Sequence, residues 1–448
     1  MSAITIFGAT GDLMHQKLMP ALANLHKVGK LPEKAHIFCV GRRDWNTDEF
    51  IAHLRKHVAE AALVAEVENI ITYVKVDLDN RDDYHALDRK ISTVSNADDR
   101  IFYLALPPKL FPEVARELAQ ANLVKKGDDN QRVVFEKPFG EDFESAKEIN
   151  RLLWRYFDES QIYRIDHYLG KEMIQNIITL RFANRVFESD WHKDSIEKIT
   201  IYAKEKSGIK DRGGYYDATG ALRDMVQSHL LQMLALTTME APESFSAKAI
   251  RKEKVSLLKK VSVDSEHVIM GQYRGYHDEK KVADDSKTET LVKMDCIIDD
   301  SRWRGVPITI LTGKNMDEKR SEIIIDFKAP SQAASLWPQA KMQSNCLIIK
   351  IAPEEGMRFT MNIKESGLSD EITTKTMDYN HGSDVFGNKP EAYEKLFLEI
   401  IDKNPLMFTR WDEIETAWRL IDSIRDHDTG KRVIYEPGCT LQQCLKGV

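Results

Sequence analysis

The sequence predicts an α/β domain built on a doubly wound parallel sheet, followed by an α+β domain built on a large, mostly antiparallel sheet. Three observations support this prediction. Short β-prone runs alternate with amphipathic helical stretches in the first third of the chain. Long strands with a period of two follow, and 448 residues are too many for one ordinary core. We place the first domain at residues 1–163 and the second at residues 164–448.

The first domain is expected to contain six strands, most of them separated by helices. Leucines at helical spacing predict a helix after the first strand that ends at Gly29, while Pro20 inside it predicts a kink or a late start. Thr47 is expected to cap the helix after the second strand. The predicted strands are Ala3–Phe7, His36–Val40, Ile71–Val76, Ile101–Leu106, Arg132–Phe135 and Ile162–Ile165.

The second domain begins with a helix-rich block that extends to about Met239. Alternating apolar residues predict strands of a sheet that is covered on one side. A late helix is expected at Trp411–Ile424, and the charged segment 278–287 is expected to be a loop. The strands with the clearest alternation are Ser195–Glu205, Glu322–Phe327 and Cys346–Ile351.

The bulk composition is typical of a globular protein in solution, with 42% hydrophobic and 30% charged residues. The net charge of −7 gives no general attraction to nucleic acid or to an anionic membrane, so we expect neither partner. The first residues lack the pattern of a secretory leader, and no run is long enough to span a bilayer. The five cysteines are scattered. They predict reduced thiols in a cytoplasmic protein and no zinc site.

A glycine-rich turn follows the first predicted strand, and Gly8 and Gly11 would let backbone N–H groups approach a pyrophosphate. Alone this motif is weak, because glycine-rich turns without ligands are common. The second strand ends with Arg42 and Arg43, where an NAD site would carry an acidic residue. Guanidinium groups there suit the 2′-phosphate of NADP, although a solvated arginine pair is the alternative. We expect NADP as the cofactor, with NAD as a weaker alternative.

Two further strand ends extend the expected ligand edge of the first sheet. Pro107 follows the fourth predicted strand and Lys137 follows the fifth. Ligands of open α/β sheets bind along this edge, so Lys137 is a candidate contact for cofactor or substrate. The bond from Lys137 to Pro138 is also a candidate for the cis form.

The string RIDHYLGKE at residues 164–172 is the segment richest in functional groups. If a helix begins here, His167, Tyr168 and Lys171 cluster and offer a phosphate one cation and neutral donors near a helix N-terminus. The alternative is an ordinary polar start of a helix.

His229 lies on the apolar stripe of the helix predicted at Gly220–Met239. A buried histidine is more often a satisfied core residue than a catalyst. A dehydrogenase nevertheless needs a general base for the hydroxyl proton, and a carboxylate on the other imidazole nitrogen would fix the tautomer. Asp166 is the candidate for that carboxylate.

His53 and His57 are spaced as i and i+4 on a predicted helix. Two such histidines can share a metal ion, but the sequence offers no signal for a third ligand. A solvated helix face is therefore favoured, and no metal is expected.

The string RIDHYLGKE resembles the signature of the glucose-6-phosphate dehydrogenase family. The resemblance implies a Rossmann-like domain and NADP-dependent oxidation of D-glucose 6-phosphate at C1 to 6-phospho-D-glucono-1,5-lactone, the first step of the oxidative pentose phosphate pathway. It also implies a homodimer or homotetramer built on the large sheet. Supporting strings are GATGDL at 8–13, EKPFG at 136–140, RGGYYDATGALRDMVQSHLLQ at 212–232, TET at 288–290, WRGVPITILTGK at 303–314 and FTRWDEIETAW at 408–418.

The resemblance also assigns roles to matching positions, with His229 as general base and Asp166 as its orienting partner. A regular helix would place Asp224 on the face opposite His229, so the role of Asp224 rests on the resemblance. Without the resemblance, Lys314 and Lys319 would be interpreted as surface lysines. The expected substrate contacts are His167, Tyr168, Lys171, Lys137, Glu205, Asp224, Lys314, Lys319 and Lys17. The expected cofactor contacts are Gly8, Thr10, Gly11, Asp12, Leu13, Arg42, Arg43, Pro107 and Lys137.

The sequence departs from the family in three places. Ala352 stands where many members have a glutamine, the stretch after Tyr273 lacks the usual Val-Pro-Gly-Tyr element, and the end at Val448 comes early. These differences leave oligomer contacts and substrate affinity open, and the last one predicts no second, structural NADP site. Two alternative functions are a dehydrogenase for another sugar phosphate and a catalytically silent NADP-binding redox sensor.

Overall fold

The structure is a computed structural model that describes residues 2–94, 99–264, 267–337, 342–368, 371–381 and 391–445. The chain forms two compact units. The first unit comprises Met1–Gly170, Ser244–Arg251 and Pro390–Glu415, and the second comprises Lys171–Glu243, Lys252–Lys389 and Thr416–Val448.

The strands and α-helices are numbered in chain order. The strands are β1 (Ser2–Phe7), β2 (His36–Gly41), β3 (Ile71–Lys75), β4 (Asp99–Leu104), β5 (Gln131–Phe135), β6 (Ile162–Ile165), β7 (Ile196–Lys204), β8 (Val261–Val263), β9 (Ile269–Tyr273), β10 (Leu291–Ile298), β11 (Ile308–Gly313), β12 (Arg320–Phe327), β13 (Cys346–Ala352), β14 (Gly356–Lys364), β15 (Ile372–Asn380), β16 (Phe408–Thr409) and β17 (Val433–Tyr435). The helices are α1 (Met19–Lys27), α2 (Thr47–His57), α3 (Ala61–Val67), α4 (Arg81–Val94), α5 (Phe111–Gln120), α6 (Phe143–Tyr156), α7 (Glu172–Phe182), α8 (Arg185–Asp190), α9 (Gly213–Ala221), α10 (Leu231–Thr238), α11 (Ala247–Leu258), α12 (Ala333–Leu336), α13 (Ala392–Ile401), α14 (Trp411–Arg425) and α15 (Leu441–Cys444).

The first unit contains a seven-stranded sheet in the order β16-β6-β5-β4-β1-β2-β3. Strands β1 to β6 are parallel, and β16 joins β6 in the antiparallel direction. The parallel part has the 3-2-1-4-5-6 order of doubly wound dinucleotide-binding folds. Phe7 is in register with Val40 and Leu104, and Leu104 with Phe135. The C-terminal ends of the central strands therefore share one edge, and the predicted fold of this domain is confirmed.

The local signals of the first unit mostly hold, with one correction. Pro20 directly follows the π-helical segment Met14–Leu18, in a helix whose preceding residue Leu18 already has helical φ and ψ. Such an irregular stretch is a usual accompaniment of a proline, which lacks the N–H that a regular helix would bond. Gly29 follows α1 with φ of +67°, as expected for a residue that ends a helix. The cap of α2 is Asn46 and not Thr47, because the Asn46 side chain accepts a hydrogen bond from the Glu49 N–H at 2.9 Å.

The second unit contains a ten-stranded sheet whose main path is β15-β14-β13-β12-β7-β11-β10-β9-β17, with β8 paired to β10. Most pairs are antiparallel, and β7 with β11 and β9 with β17 are parallel. The three strands predicted from alternation are β7, β12 and β13. Ile199 and Ile201 of β7 are buried, as are Ile323 and Ile325 of β12, which confirms the covered face.

Two expectations drawn from composition have different outcomes. The expectation of reduced thiols is wrong for Cys439 and Cys444, which form a disulfide with Cα atoms 5.7 Å apart. The expectation relied on the absence of a CxxC pair, and these two cysteines are spaced more widely than that pattern. Cys39, Cys296 and Cys346 are free. Among the described residues, no helix is both long and apolar enough to cross a membrane.

Candidate active site

The glycine-rich turn of the first unit connects β1 to a π-helical segment, Met14–Leu18. Gly8 has φ of +80°, in the left-handed region that favours glycine. A Cβ at Gly8 would overlap the carbonyl group of Ala105, which follows β4. The N–H groups of Gly8 and Ala9 donate to the carbonyl oxygen of Val40 in β2 at 3.1 and 3.0 Å. Glycine is therefore required where the turn meets the ends of two neighbouring strands.

The rest of the turn is tied to the same edge. The Gly11 N–H donates to the carbonyl oxygen of Gly8 at 3.0 Å. Thr10 lies beside the end of β2, since a Cβ on Gly41 would be 3.3 Å from Thr10 Cγ2. Leu13, which follows the exposed Asp12, already has helical φ and ψ of −60° and −42°. The turn opens a helix as predicted, and the helix becomes π-helical at Met14–Leu18.

The two arginines expected at the second strand lie just beyond β2. Both Arg42 and Arg43 are exposed. The guanidinium carbon of Arg43 lies 4.5 Å from the ring centre of Trp45, which is a cation–π contact. The carbonyl oxygen of Arg43 accepts a hydrogen bond from the Tyr73 hydroxyl at 3.0 Å. Arg43 is thus held in place at this edge by its ring contact and its backbone.

Lys137 follows Glu136 at the end of β5, and its peptide bond to Pro138 is cis, a form that the sequence left open. The hydroxyls of Tyr103 and Tyr393 both donate to Oε1 of Glu136, the latter at 3.3 Å. Burial raises the pKa of the Glu136 carboxyl, and the two hydroxyl donors oppose that shift. Sequence reasoning gave Glu136 no role, although its position before Lys137 at a strand end was a visible signal.

Asp166 directly follows β6 and is only 2% exposed. Its Oδ1 accepts a hydrogen bond from the Tyr168 N–H at 3.0 Å, and its carbonyl oxygen accepts one from the Leu169 N–H at 3.0 Å. This is the local turn that aspartate side chains favour. The rings of His167 and Tyr168 are 5.2 Å apart. Two of the expected phosphate contacts therefore come together in one turn.

The shared edge of the first sheet carries most of the expected residues of this unit. Lys17, in the π-helical segment, forms an ion pair with Glu391 at 2.8 Å. The residues that follow the C-terminal ends of β1, β2, β4, β5 and β6 are Gly8, Thr10, Gly11, Asp12, Leu13, Arg42, Arg43, Pro107, Lys137, Asp166, His167 and Tyr168.

In the second unit, His229 is 1% exposed and lies in a π-helical segment, Leu222–Leu230. The helix predicted at Gly220–Met239 is present from Leu222 to Thr238, but its first part is π-helical and not regular. Hydrogen bonds of a π-helix run from i to i+5, so residues five apart lie on nearly the same face. Asp224 and His229 have this spacing, whereas a regular α-helix would place them on opposite faces. The Tyr215 hydroxyl lies 3.5 Å from Asp224 Oδ1.

The irregular helix is shaped by Glu289, the middle residue of the TET string. Gly220 has φ of +73°, and a Cβ there would overlap the Glu289 carboxylate. The carboxylate accepts a hydrogen bond from the Leu222 N–H at 2.8 Å, and the Glu289 carbonyl accepts one from the Ala221 N–H at 2.9 Å. Burial raises the pKa of Glu289. Sequence reasoning gave Glu289 no role. Gly220, the last glycine of the string RGGYYDATG, was the local sign that the helix is interrupted there.

Lys314 and Glu205 form an ion pair in the second unit. Lys314 is buried, so the expectation from composition that it is a surface lysine is wrong. Its ammonium nitrogen lies 4.8 Å from the ring centre of Tyr216, and its carbonyl oxygen accepts a hydrogen bond from the Tyr435 hydroxyl at 2.8 Å. Lys319 is exposed in the turn before β12. The structure thus brings Glu205 and Lys314 together and leaves Lys319 on the surface.

Lys171 is the residue that precedes α7, and its carbonyl oxygen accepts the Ile174 N–H at 3.1 Å. The helix start predicted inside the string 164–172 is confirmed at Glu172. The boundary between the two units lies here, since Gly170 belongs to the first unit and Lys171 to the second.

The sheet order and the glycine-rich turn define a dinucleotide-binding protein of the Rossmann type. Comparison with known families gives the same class and a narrower assignment. Residues 5–176 match "Glucose-6-phosphate dehydrogenase, NAD binding domain", and residues 178–442 match "Glucose-6-phosphate dehydrogenase, C-terminal domain". The chain belongs to the glucose-6-phosphate dehydrogenase family.

Individual relatives match over nearly their whole length. The chain is 37% identical to glucose-6-phosphate 1-dehydrogenase 6, cytoplasmic, of Arabidopsis thaliana, over 97% of this chain and 88% of that protein. It is 37% identical to glucose-6-phosphate 1-dehydrogenase of Bacillus subtilis, over 98% and 94%. A solved glucose-6-phosphate dehydrogenase in complex with glucose 6-phosphate is 34% identical, with a TM-score of 0.90 over 98% of this chain and 94% of that one.

Proposed function

We propose that the chain oxidises D-glucose 6-phosphate at C1 to 6-phospho-D-glucono-1,5-lactone and forms NADPH, the first step of the oxidative pentose phosphate pathway. Family membership over both units supports this oxidoreductase activity. The observation that carries the proposal is the almost completely buried His229, placed in a π-helical segment of a chain whose relatives are named for this reaction. Short π-helical segments occur frequently at functional sites.

His229 is the general base in this proposal. A hydride leaves C1 only as the C1 hydroxyl loses its proton, and a neutral imidazole is suited to take that proton near neutral pH. Asp166 is the orienting carboxylate, which would hold the imidazole tautomer and stabilise the imidazolium. Its burial and the hydrogen bond from the Tyr168 N–H support this role, because they fix the direction of the carboxylate.

The proposed phosphate contacts are His167, Tyr168 and Lys171. Lys171 supplies the cation, and the phosphate charge would be favoured near the start of α7. Charged and polar side chains would bind the sugar hydroxyls or line the pocket, and two of them, Lys314 and Glu205, form an ion pair. The residues proposed for the hydroxyls or for the surrounding pocket are Lys137, Glu205, Asp224, Lys314, Lys319 and Lys17.

The residues at the edge of the first sheet fit a dinucleotide. Gly8 lets the turn pass against the Ala105 carbonyl at the C-terminal edge of the sheet, which is the edge where doubly wound folds bind a pyrophosphate. Arg42 and Arg43 would hold a 2′-phosphate, which favours NADP over NAD. NADP, when bound, supplies the acceptor of the hydride. The remaining proposed cofactor contacts are Thr10, Gly11, Asp12, Leu13, Pro107 and Lys137.

The decisive experiment follows the absorbance of the reduced nicotinamide after substrate is added to the purified chain. We expect reduction of NADP with glucose 6-phosphate and little with glucose, fructose 6-phosphate or mannose 6-phosphate. Equal or greater rates with another hexose phosphate would assign a different substrate. Binding of NADP with no reduction by any of these sugars would support a redox sensor.

We also propose a cytoplasmic homodimer or homotetramer that uses the large sheet. Met377 on β15 is 54% exposed and Ile363 on β14 is 42% exposed, which leaves apolar surface at this end of the sheet. Equilibrium sedimentation gives the assembly, and Met377→Lys should weaken it. An unchanged assembly in this variant would place the interface elsewhere.

A further inference from the structure

Lys314 is held through both its backbone and its side chain in the second unit. Its N–H donates to the carbonyl oxygen of Thr290 at 2.9 Å, and its own carbonyl oxygen accepts a hydrogen bond from the Tyr435 hydroxyl at 2.8 Å. Its ammonium group pairs with the Glu205 carboxylate and lies 4.8 Å from the ring centre of Tyr216. Lys314 is 8% exposed and Tyr216 is 1% exposed. The ammonium group therefore has a carboxylate and an aromatic ring as neighbours and little contact with water.

The aromatic ring of Tyr216, and not its hydroxyl, makes this contact. The hydroxyl oxygen is buried and forms no hydrogen bond with any residue that the structure describes. Burial and then the Asp224 carboxylate raise the pKa of Tyr216, so this side chain is neutral at physiological pH. A neutral ring attracts a cation through the negative face of its π system, and the attraction is stronger where water is excluded. The contact with Lys314 is thus a buried cation–π contact.

The two neighbours of the ammonium group respond differently to a bound sugar. Glu205 is among the residues proposed for the sugar hydroxyls, and a hydroxyl that donates to its carboxylate competes with Lys314 for the same oxygen atoms. The face of the Tyr216 ring offers no strong acceptor to a hydroxyl. The ring can therefore keep the ammonium group in place while Glu205 is engaged with a substrate.

We propose that Tyr216 is a positioning residue, whose ring holds the Lys314 ammonium group where it binds the sugar. This inference deepens the proposed function and rests on it, because Lys314 is a proposed contact of glucose 6-phosphate. The string at 212–232 contains Tyr216, but sequence reasoning gave this residue no role. Without the ring, Lys314 keeps its ion pair with Glu205 and loses the contact that does not compete with substrate.

The test replaces the ring in steps within the full chain. Tyr216→Phe removes the hydroxyl, and phenylalanines with one, two or three ring fluorines at the same position weaken the negative face of the ring with little change in volume. Tyr216→Leu removes the ring. Tyr273→Leu is the matched control, because Tyr273 is 3% exposed and packs in the same apolar cluster as Tyr216, while its hydroxyl bonds to the Ile209 N–H at 3.3 Å.

We expect Tyr216→Phe to keep the wild-type KM for glucose 6-phosphate and the fluorinated series to raise KM with each fluorine. Tyr216→Leu should raise KM between about fivefold and thirtyfold, as for loss of a cation–π contact out of water, while kcat changes less than about twofold. Tyr273→Leu should lower Tm and leave KM unchanged. A flat fluorinated series, a large increase in Tyr216→Phe, or an equal increase in Tyr273→Leu would overturn the proposal.

A second measurement follows Lys314 without turnover. Formaldehyde with a borohydride reductant methylates lysine amines, and peptide mass spectrometry gives the rate at Lys314 relative to the exposed Lys319. This ratio should rise from Tyr216→Phe through the fluorinated series to Tyr216→Leu, and an unchanged ratio would overturn the role of the ring. If the ratio rises but the wild type reduces no NADP with glucose 6-phosphate, the proposed function is wrong and the hold of the ring on Lys314 stands.

Discussion

The Glu289 carboxylate accepts a hydrogen bond from the backbone N–H of Leu222 at 2.8 Å, across 67 positions of the sequence. The same carboxylate occupies the space beside Gly220, where the helix breaks before it continues in the π form. The placement of His229 therefore depends on Glu289, a residue distant from it in the sequence.

Gly220→Ala should disturb both stability and turnover. Its φ of +73° is unfavourable for alanine, and the new methyl group would overlap Glu289. We expect a loss of about 1–3 kcal/mol in the free energy of unfolding and a lower kcat, because the π-helical segment shifts. Gly214→Ala is the control in the same helix, since its Cβ would be 3.5 Å from the nearest side-chain atom. Wild-type kcat in Gly220→Ala would contradict the link to His229.

His229→Asn should remove the proposed general base. We expect kcat to fall by about 10²–10⁴-fold, with NADP affinity unchanged, because the loss affects proton transfer and not cofactor binding. Steady-state kinetics and a fluorescence titration with NADPH measure the two effects. His26→Asn, at an exposed position, serves as control. A near-normal kcat in His229→Asn would show that another group takes the proton.

Lys171→Ala should weaken substrate binding more than turnover. A hydrogen bond to a charged phosphate contributes about 1.5–3 kcal/mol, so we expect KM for glucose 6-phosphate to rise at least about tenfold. Lys147→Ala is the control, since Lys147 forms a surface ion pair with Glu144 on α6. If KM stays unchanged while the variant remains folded, Lys171 does not contact the phosphate.

Arg43→Ala should change cofactor preference. Removal of the guanidinium beside Trp45 should raise KM for NADP at least about tenfold and leave KM for NAD nearly unchanged, because only NADP carries the 2′-phosphate. Arg55→Ala, which breaks an ion pair with Glu68 on the surface, is the control. Parallel increases for both cofactors would indicate a structural role for Arg43.

Glu136 should make stability depend on pH. Burial raises the pKa of this carboxyl, so the folded chain holds the proton more tightly than the unfolded chain does. Its contribution to stability is present below the unfolded pKa of about 4.3 and is lost as the pH rises through the folded pKa. Relative to Glu136→Gln, the wild type should therefore lose thermal stability as the pH rises. A difference in Tm that stays constant over this pH range would contradict the raised pKa.

Most of the first sheet could be predicted because its information is local. Apolar runs of the right length mark β1 to β6, and glycine or arginine at a strand end marks the ligand edge. The handedness and connection rules of parallel sheets reduce the possible strand orders to a few. The residues proposed for the cofactor could be named for the same reason, since they lie in the segments that follow the ends of β1, β2, β4 and β5.

The features that could not be predicted depend on contacts between distant parts of the chain. The burial of Lys314 requires Glu205, which is 109 positions away. The π-helical segment Leu222–Leu230 requires Glu289, and the ring contact of His15 with His53 requires the segment after the glycine-rich turn to meet α2. Helical periodicity assumes a regular turn, so it placed Asp224 opposite His229. No pattern in one sequence reports such pairings.

The two residues of β16 have a consequence for the order in which the chain can assemble. Strand β6 is an edge strand until Phe408 and Thr409 pair with Ile165 and Arg164. During synthesis the ribosome must deliver more than 400 residues before this edge is closed. From the time β6 forms until then, this edge of the nascent chain exposes unpaired backbone donors and acceptors. Such an edge can bind chaperones and can pair with other chains in aggregates.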